Sequence, residues 1–169
     1  MSPHTDTYTR ADLPFATFFS SPHLLSTNNM PFVIFLYLYR KPGLTFQEFR
    51  DGMENVAFPW LFEYYKPHQP LAWTRHYVCR RGSKTGQRLL AYSAPPADPD
   101  PDAPVVMLGG ITEFPWDVMI RVVYRDELHF NQYFAWLNEP ENAANIAASE
   151  EEFSDPTKLK AVVIGEVVD

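Results

Sequence analysis

From Phe32 to Tyr39 every residue is branched or aromatic, and Arg40 then leads into Lys41-Pro42-Gly43. An apolar run this short, stopped by a Pro-Gly turn, reads as a buried strand rather than a helix. Alternation gives it two faces: Ile34, Leu36 and Leu38 on one, Phe35, Tyr37 and Tyr39 on the other. A helix start lies directly behind it. Thr45 and Glu48 have the spacing of a capping box, and Leu44 and Phe49 that of a hydrophobic staple. Phe46, Phe49, Met53 and Val56 mark the buried face. Pro59 is predicted to end this helix, with a further helical turn over Trp60 to Tyr65. A strand fed tightly into an amphipathic helix restricts the chain to layered mixtures of helix and sheet.

The remaining pattern narrows this to one topology. Leu71 to Arg80 is predicted as the second strand, with Trp73, Arg75 and Tyr77 on one face and Thr74, His76 and Val78 on the other. Residues 81–115 read as a long irregular insertion, because the run 94–104 is dense in proline, which removes amide donors and fixes φ. Short strand pieces are expected at Arg88 to Ser93 and Val105 to Leu108. Trp116 to Tyr124 is the third strand. Asp126 caps a helix from Glu127 to Asn138 with Phe130, Phe134 and Leu137 inward, and Pro140 restarts a helix to about Ser149. Lys158 to Val168 is the last strand.

Strand, helix, strand, strand, helix, strand is the ferredoxin-like βαββαβ order, an α+β fold. It implies a four-stranded antiparallel sheet with helices on one face. The other face needs cover. A second copy supplies it in a dimeric α+β barrel, so a homodimer is expected. Residues 30–169 form this domain. Residues 1–29 are a polar N-terminal extension, with Leu13 to Phe19 apolar enough to dock onto the domain or a partner.

Charge excludes several classes. Fourteen Lys and Arg stand against 21 Asp and Glu, a net charge of -7. That is a poor start for nucleic-acid binding. The weak basic cluster at Arg75, Arg80, Arg81, Lys84 and Arg88 reads as a solvated loop. A single cysteine, Cys79, allows no disulfide within the chain and no cysteine-based zinc site, which suits a reducing, cytoplasmic setting. No run approaches the ~18 apolar residues of a membrane span, and the N-terminus lacks a basic start followed by an apolar stretch. Gly82-Ser83-Lys84-Thr85-Gly86 lacks the spacing of a phosphate loop. No residue set has metal-ligand spacing, so neither metal nor cofactor is expected.

With 13 Phe, 9 Tyr and 4 Trp in 169 residues, the aromatics exceed what helix faces need. Phe46, Phe49, Phe130 and Phe134 belong to the core. Phe35, Tyr37, Tyr39, Trp73 and Tyr77 are candidates for one wall of a pocket for a flat, oxygenated ligand. Four residues are candidates for chemistry. Tyr37 offers a phenol on the concave face. His76 offers a group that titrates near neutrality; the alternation leaves its face open. Arg121 offers paired donors to a carboxylate or oxyanion. It shares a face with Met119 and with Asp117, which either orients a neighbour or pairs with Arg121. Glu166, in a Val-rich run, is a candidate proton donor if buried. His4, His23, His68 and His129 read as solvated or surface groups.

Read together and in order, these residues resemble the EthD domain family. The resemblance covers about residues 32–168. It rests on Tyr39-Arg40-Lys41-Pro42-Gly43, on Phe49-Arg50 with Met53, Val56 and Pro59, and on Trp73-Thr74. It continues through Asp117, Val122-Val123-Tyr124-Arg125-Asp126, Phe153-Ser154-Asp155 and Ile164-Gly165. More narrowly, the chain is similar to small fungal enzymes of aromatic polyketide pathways, including decarboxylases acting on atrochrysone-type carboxylic acids. The resemblance implies a cofactor-free lyase step, decarboxylation or dehydration, on a polyketide-type intermediate. It also implies an acidic residue at Asp117. The family's first-helix histidines correspond to Gly52 and Ala57, and a further one to Tyr77 beside His76. With those imidazoles absent, two other readings stand beside the lyase. One is a cyclase that folds a polyketide or polyene intermediate by shape and Tyr or Arg hydrogen bonds. The other is a non-catalytic metabolite-binding protein.

Overall fold

The computed structural model describes residues 30–91 and 100–165. The extension 1–29, the core of the proline run at 92–99 and the end of the last strand, with Glu166, lie outside the described residues.

Strand β1 spans Phe32–Leu38, and Gly43, at φ 94°, turns the chain out of it. Thr45 caps helix α1, Phe46–Gly52, through the predicted box with Glu48. The helix does not stop at Pro59. It passes through a π-turn at Met53–Ala57 into α2, Phe58–Tyr64, with Pro59 in the first turn. The i→i−5 bond from the Phe58 amide to the Met53 carbonyl widens the helix just before Pro59, where the proline ring would otherwise crowd the carbonyl of the preceding turn. It also rotates the buried face. Val56, expected inside, is 51% exposed, while Ala57, Phe58 and Leu61 are buried.

Strand β2 is Ala72–Tyr77. The stretch after it corrects the sequence reading. Ser83 caps a helix, α3, over Lys84–Leu90, in place of a loop and a strand piece. Val105 to Leu108 forms no strand. Strand β3 is Val118–Tyr124. Asp126 caps α4, Glu127–Leu137, as predicted. Helix α5, Pro140–Phe153, runs a turn further than expected. Strand β4 is Lys160–Ile164.

The sheet order is β2-β3-β1-β4, all antiparallel. This is the ferredoxin-like arrangement, as expected. Two strands from distant parts of the chain, β1 and β3, hold the centre, with β2 and β4 at the edges. The core lies between sheet and helices. Ile34, Leu38, Val118, Ile120, Val122 and Tyr124 meet Phe49, Met53, Phe58, Phe130 and Ile146 there. Phe46 and Phe134 pack against this cluster half-buried. Among the described residues no helix is long and apolar enough to cross a membrane.

Candidate functional site

A cavity of about 610 Å³ separates sheet from helices. Its floor is the inward-facing set of the strands: Ile34, Leu36 and Leu38, Ile120 and Tyr124, Trp73, Ala161 and Val163. Its roof comes from Met53, Phe58, Leu61 and Tyr65, and from Phe130, Tyr133, Phe134 and Leu137. The room arises at β4, where small Ala161 stands opposite Leu36. The cavity reaches the surface along that strand, where Val163 keeps 43% of its area exposed. The volume suits a small organic ligand.

The polar groups in this wall are few. Tyr124 is hydrogen-bonded to Tyr133, and burial, with that neighbour, pushes its ionisation far above the ordinary phenol range. Such a phenol stays protonated at any physiological pH. Its proton is engaged with Tyr133, and it does not abstract one. The Trp73 indole nitrogen is buried without a hydrogen-bond partner. Its ring stacks on Tyr65 at 6.0 Å and meets Phe62 edge-on at 5.8 Å.

The aromatic wall predicted from sequence is not one surface. Trp73 and Tyr77 face the helices; Phe35 and Tyr37 face away from them. Strand alternation requires this once the register is known. Tyr77 stands over Phe46 and Phe49. Its hydroxyl donates to Glu54 Oε1 at 2.8 Å, beside the Arg75 Nε bond to the same oxygen at 2.8 Å. Burial first, then Glu54, raises its pKa. Arg75 is therefore a packed ion-pair partner, and not a solvated loop charge.

On the face without helices the register brings five candidates side by side. His76 stands opposite Met119, and Met119 opposite Tyr37. Arg121 lies between Thr74 and Phe35 in the next row. Tyr37 packs edge-on against Trp116 at 4.9 Å. His76 and Thr74 are exposed, and Lys160 continues the first row on β4.

Asp117 does not join that patch or pair with Arg121. It is 4% exposed and sits beyond the strand ends. Its Oδ1 accepts from Arg80 Nη2 at 2.6 Å, and its Oδ2 from the Arg40 amide at 2.8 Å. Arg80, read as a loop charge, is 5% exposed, with its guanidinium 4.6 Å over the Phe46 ring. Tyr39 is also buried here, on the rim of a second, polar pocket of about 520 Å³.

The two helix positions where the resemblance implies histidine are closed to it. A Cβ on Gly52 would collide with the Phe153 ring, and Ala57 is 3% exposed. The Lys41 amide bonds the Phe153 carbonyl at 2.8 Å, tying the end of α5 to the end of β1.

Tyr65, Tyr124 and Tyr133 are the phenols of this wall, and the sequence reading named none of them as pocket residues. Two of them carried a signal. Tyr124 continues the period-two face of Val118, Ile120 and Val122, and Tyr133 falls in the helical stripe of Phe130 and Phe134.

A family model described as EthD domain matches residues 41–157. A solved structure described as an ethyl tert-butyl ether d (EthD) family protein from Bacillus halodurans is similar at 14% identity and a TM-score of 0.46. The match covers 80% of this chain and 99% of that one. No curated protein matches the chain.

Proposed function

The chain belongs to the EthD domain family, and on that premise we propose that it is a tailoring enzyme that holds a flat, polyketide-type intermediate in the cavity between sheet and helices and closes a ring in it. The observation that carries this is the cavity itself: about 610 Å³, walled mostly by aliphatic and aromatic side chains, with Glu150 and Lys160 also in its lining and the unpartnered Trp73 indole N–H as a hydrogen-bond donor. Among the described residues that line it there is no histidine. A step that depends on holding one reactive fold, with a carbonyl polarised by a neutral donor, fits this wall. Decarboxylation or dehydration driven by an imidazole inside the cavity fits it less well.

A second reading keeps the lyase. It rests on the register that gathers Tyr37, His76, Arg121, Met119 and Phe35 on the open face. A second copy across that face, as in the expected homodimer, would enclose them. There His76 supplies the acid and base, and Arg121 holds the carboxylate.

One experiment separates the readings. The protein is incubated with a linear poly-β-ketone and with an aromatic β-keto acid, and products are followed by mass. Ring closure that disappears in Leu36→Trp and survives in His76→Gln supports the first reading. Carbon dioxide release with the opposite pattern supports the second. Binding without turnover of either compound leaves a metabolite-binding protein and removes both.

A further inference from the structure

We propose that the polar pocket beyond the ends of β1 and β3 is a second ligand site, built for a compact oxyanion, a carboxylate or a phosphate. It shares no lining residue with the apolar cavity.

The acids of the pocket are already covered, Asp100 by the Asp102 amide on its Oδ1 at 2.9 Å. Asp117 takes Arg80 on one oxygen and the Arg40 amide on the other. Asp102 Oδ2 takes Arg40 Nη1 at 2.6 Å and the Phe46 amide at 3.0 Å. The donors are not used up. Arg80 Nε and the Tyr39 hydroxyl have no hydrogen-bond partner, although these residues are 5% and 6% exposed. Arg40 gives Nη1 to Asp102, while its Nε stays 3.7 Å from Asp117. A buried donor without an acceptor costs free energy that a fitting ligand would recover.

Charge points the same way. Burial, the largest cause, lowers the Arg80 pKa and Arg40 adds to that, while Asp117, Asp102 and Asp100 oppose it. Arg40, Lys41 and Arg80 line the pocket against Asp100, Asp102 and Asp117. Lys158, 56% exposed at the rim and paired with Asp155, adds a further cation. A cation would find the acids occupied. An anion finds donors waiting, and planar guanidinium suits carboxylate and phosphate alike. At about 520 Å³ the pocket has room for the body of a small acid or phosphate ester behind that group.

The test uses the full chain at low salt, titrated separately with inorganic phosphate, acetate, benzoate and chloride, and read by calorimetry and amide chemical shifts. The expected result is saturable, one-to-one binding of phosphate or of a carboxylate, with none for chloride. Preference for phosphate points to a phosphate ester, and preference for acetate or benzoate to an organic acid. Lys158→Gln and Tyr39→Phe should each weaken binding about tenfold, the scale of one hydrogen bond to a charged group. Leu36→Trp, in the other cavity, should leave it unchanged. Absence of saturable binding by all three oxyanions overturns the proposal, as does binding indifferent to both pocket variants.

Discussion

Leu38 and Tyr39 are neighbours in the chain and line different hollows. Leu38 belongs to the apolar cavity under the helices. Tyr39, one residue on, belongs to the polar pocket at the strand ends. Leu159 and Lys158 divide in the same way. The two regions are held by different physics. The cavity keeps its shape through packed area on rigid strands and helices. The pocket keeps its shape through charges that must be paired because they are buried. The first tolerates changes of side chain that preserve volume. The second tolerates almost none that remove a partner.

The largest effect should come from the polar region. Asp117→Ala leaves Arg80 buried without its carboxylate. A loss of about 3–5 kcal/mol is expected, read as a lower urea midpoint at unchanged slope. A loss below about 1 kcal/mol would mean that the charges do not hold this end of the sheet. Next comes the cavity floor. Ile120→Ala should cost toward the lower end of about 2–5 kcal/mol, since the site already borders open volume and has fewer contacts to lose. A cost matching that of Asp117→Ala would erase the contrast.

Filling the cavity should cost less still. Leu36→Trp places a larger ring in existing space, so stability should change by no more than about 1 kcal/mol, below the usual cost of overpacking. Binding of an apolar fluorescent probe should nevertheless be lost. The smallest effect is a pH dependence. Burial tends to raise the Asp102 carboxyl, but the Phe46 amide, Arg40 and Arg80 outweigh it and hold it below the ordinary range. A lowered folded pKa gives stability that is complete above the unfolded value. It is lost as the pH falls through the folded one. The stability gap between the wild type and Asp102→Asn should therefore be constant above about pH 4 and shrink below it. A gap that widens in acid would reverse the sign.

The fold was largely legible because period-two and helical stripes are strong signals, and Thr45 and Asp126 announce their helices. Two features were not. Pro59 usually ends a helix, and nothing local announces the π-turn that lets it continue and turns Val56 outward. The pairing of Asp117 with Arg80 spans distant residues, so it follows from the β2–β3 register, which continues in the Val78 amide bond to the Asp117 carbonyl, not from any spacing. The candidate site was half legible. Alternation put Phe35 and Tyr37 together and Trp73 and Tyr77 together. It could not say that the two pairs lie on opposite faces. Only the register of β1 and β2 against β3 decides that.

The central claim is that ligand enters between sheet and helices, not across the open face. Titrating a flat aromatic ketone into methyl-labelled protein tests it most directly. The account predicts that the methyls of Leu36, Leu61 and Ile120 shift saturably while those of Met119 and Thr74 stay in place. Shifts confined to Met119 and Thr74 would contradict it.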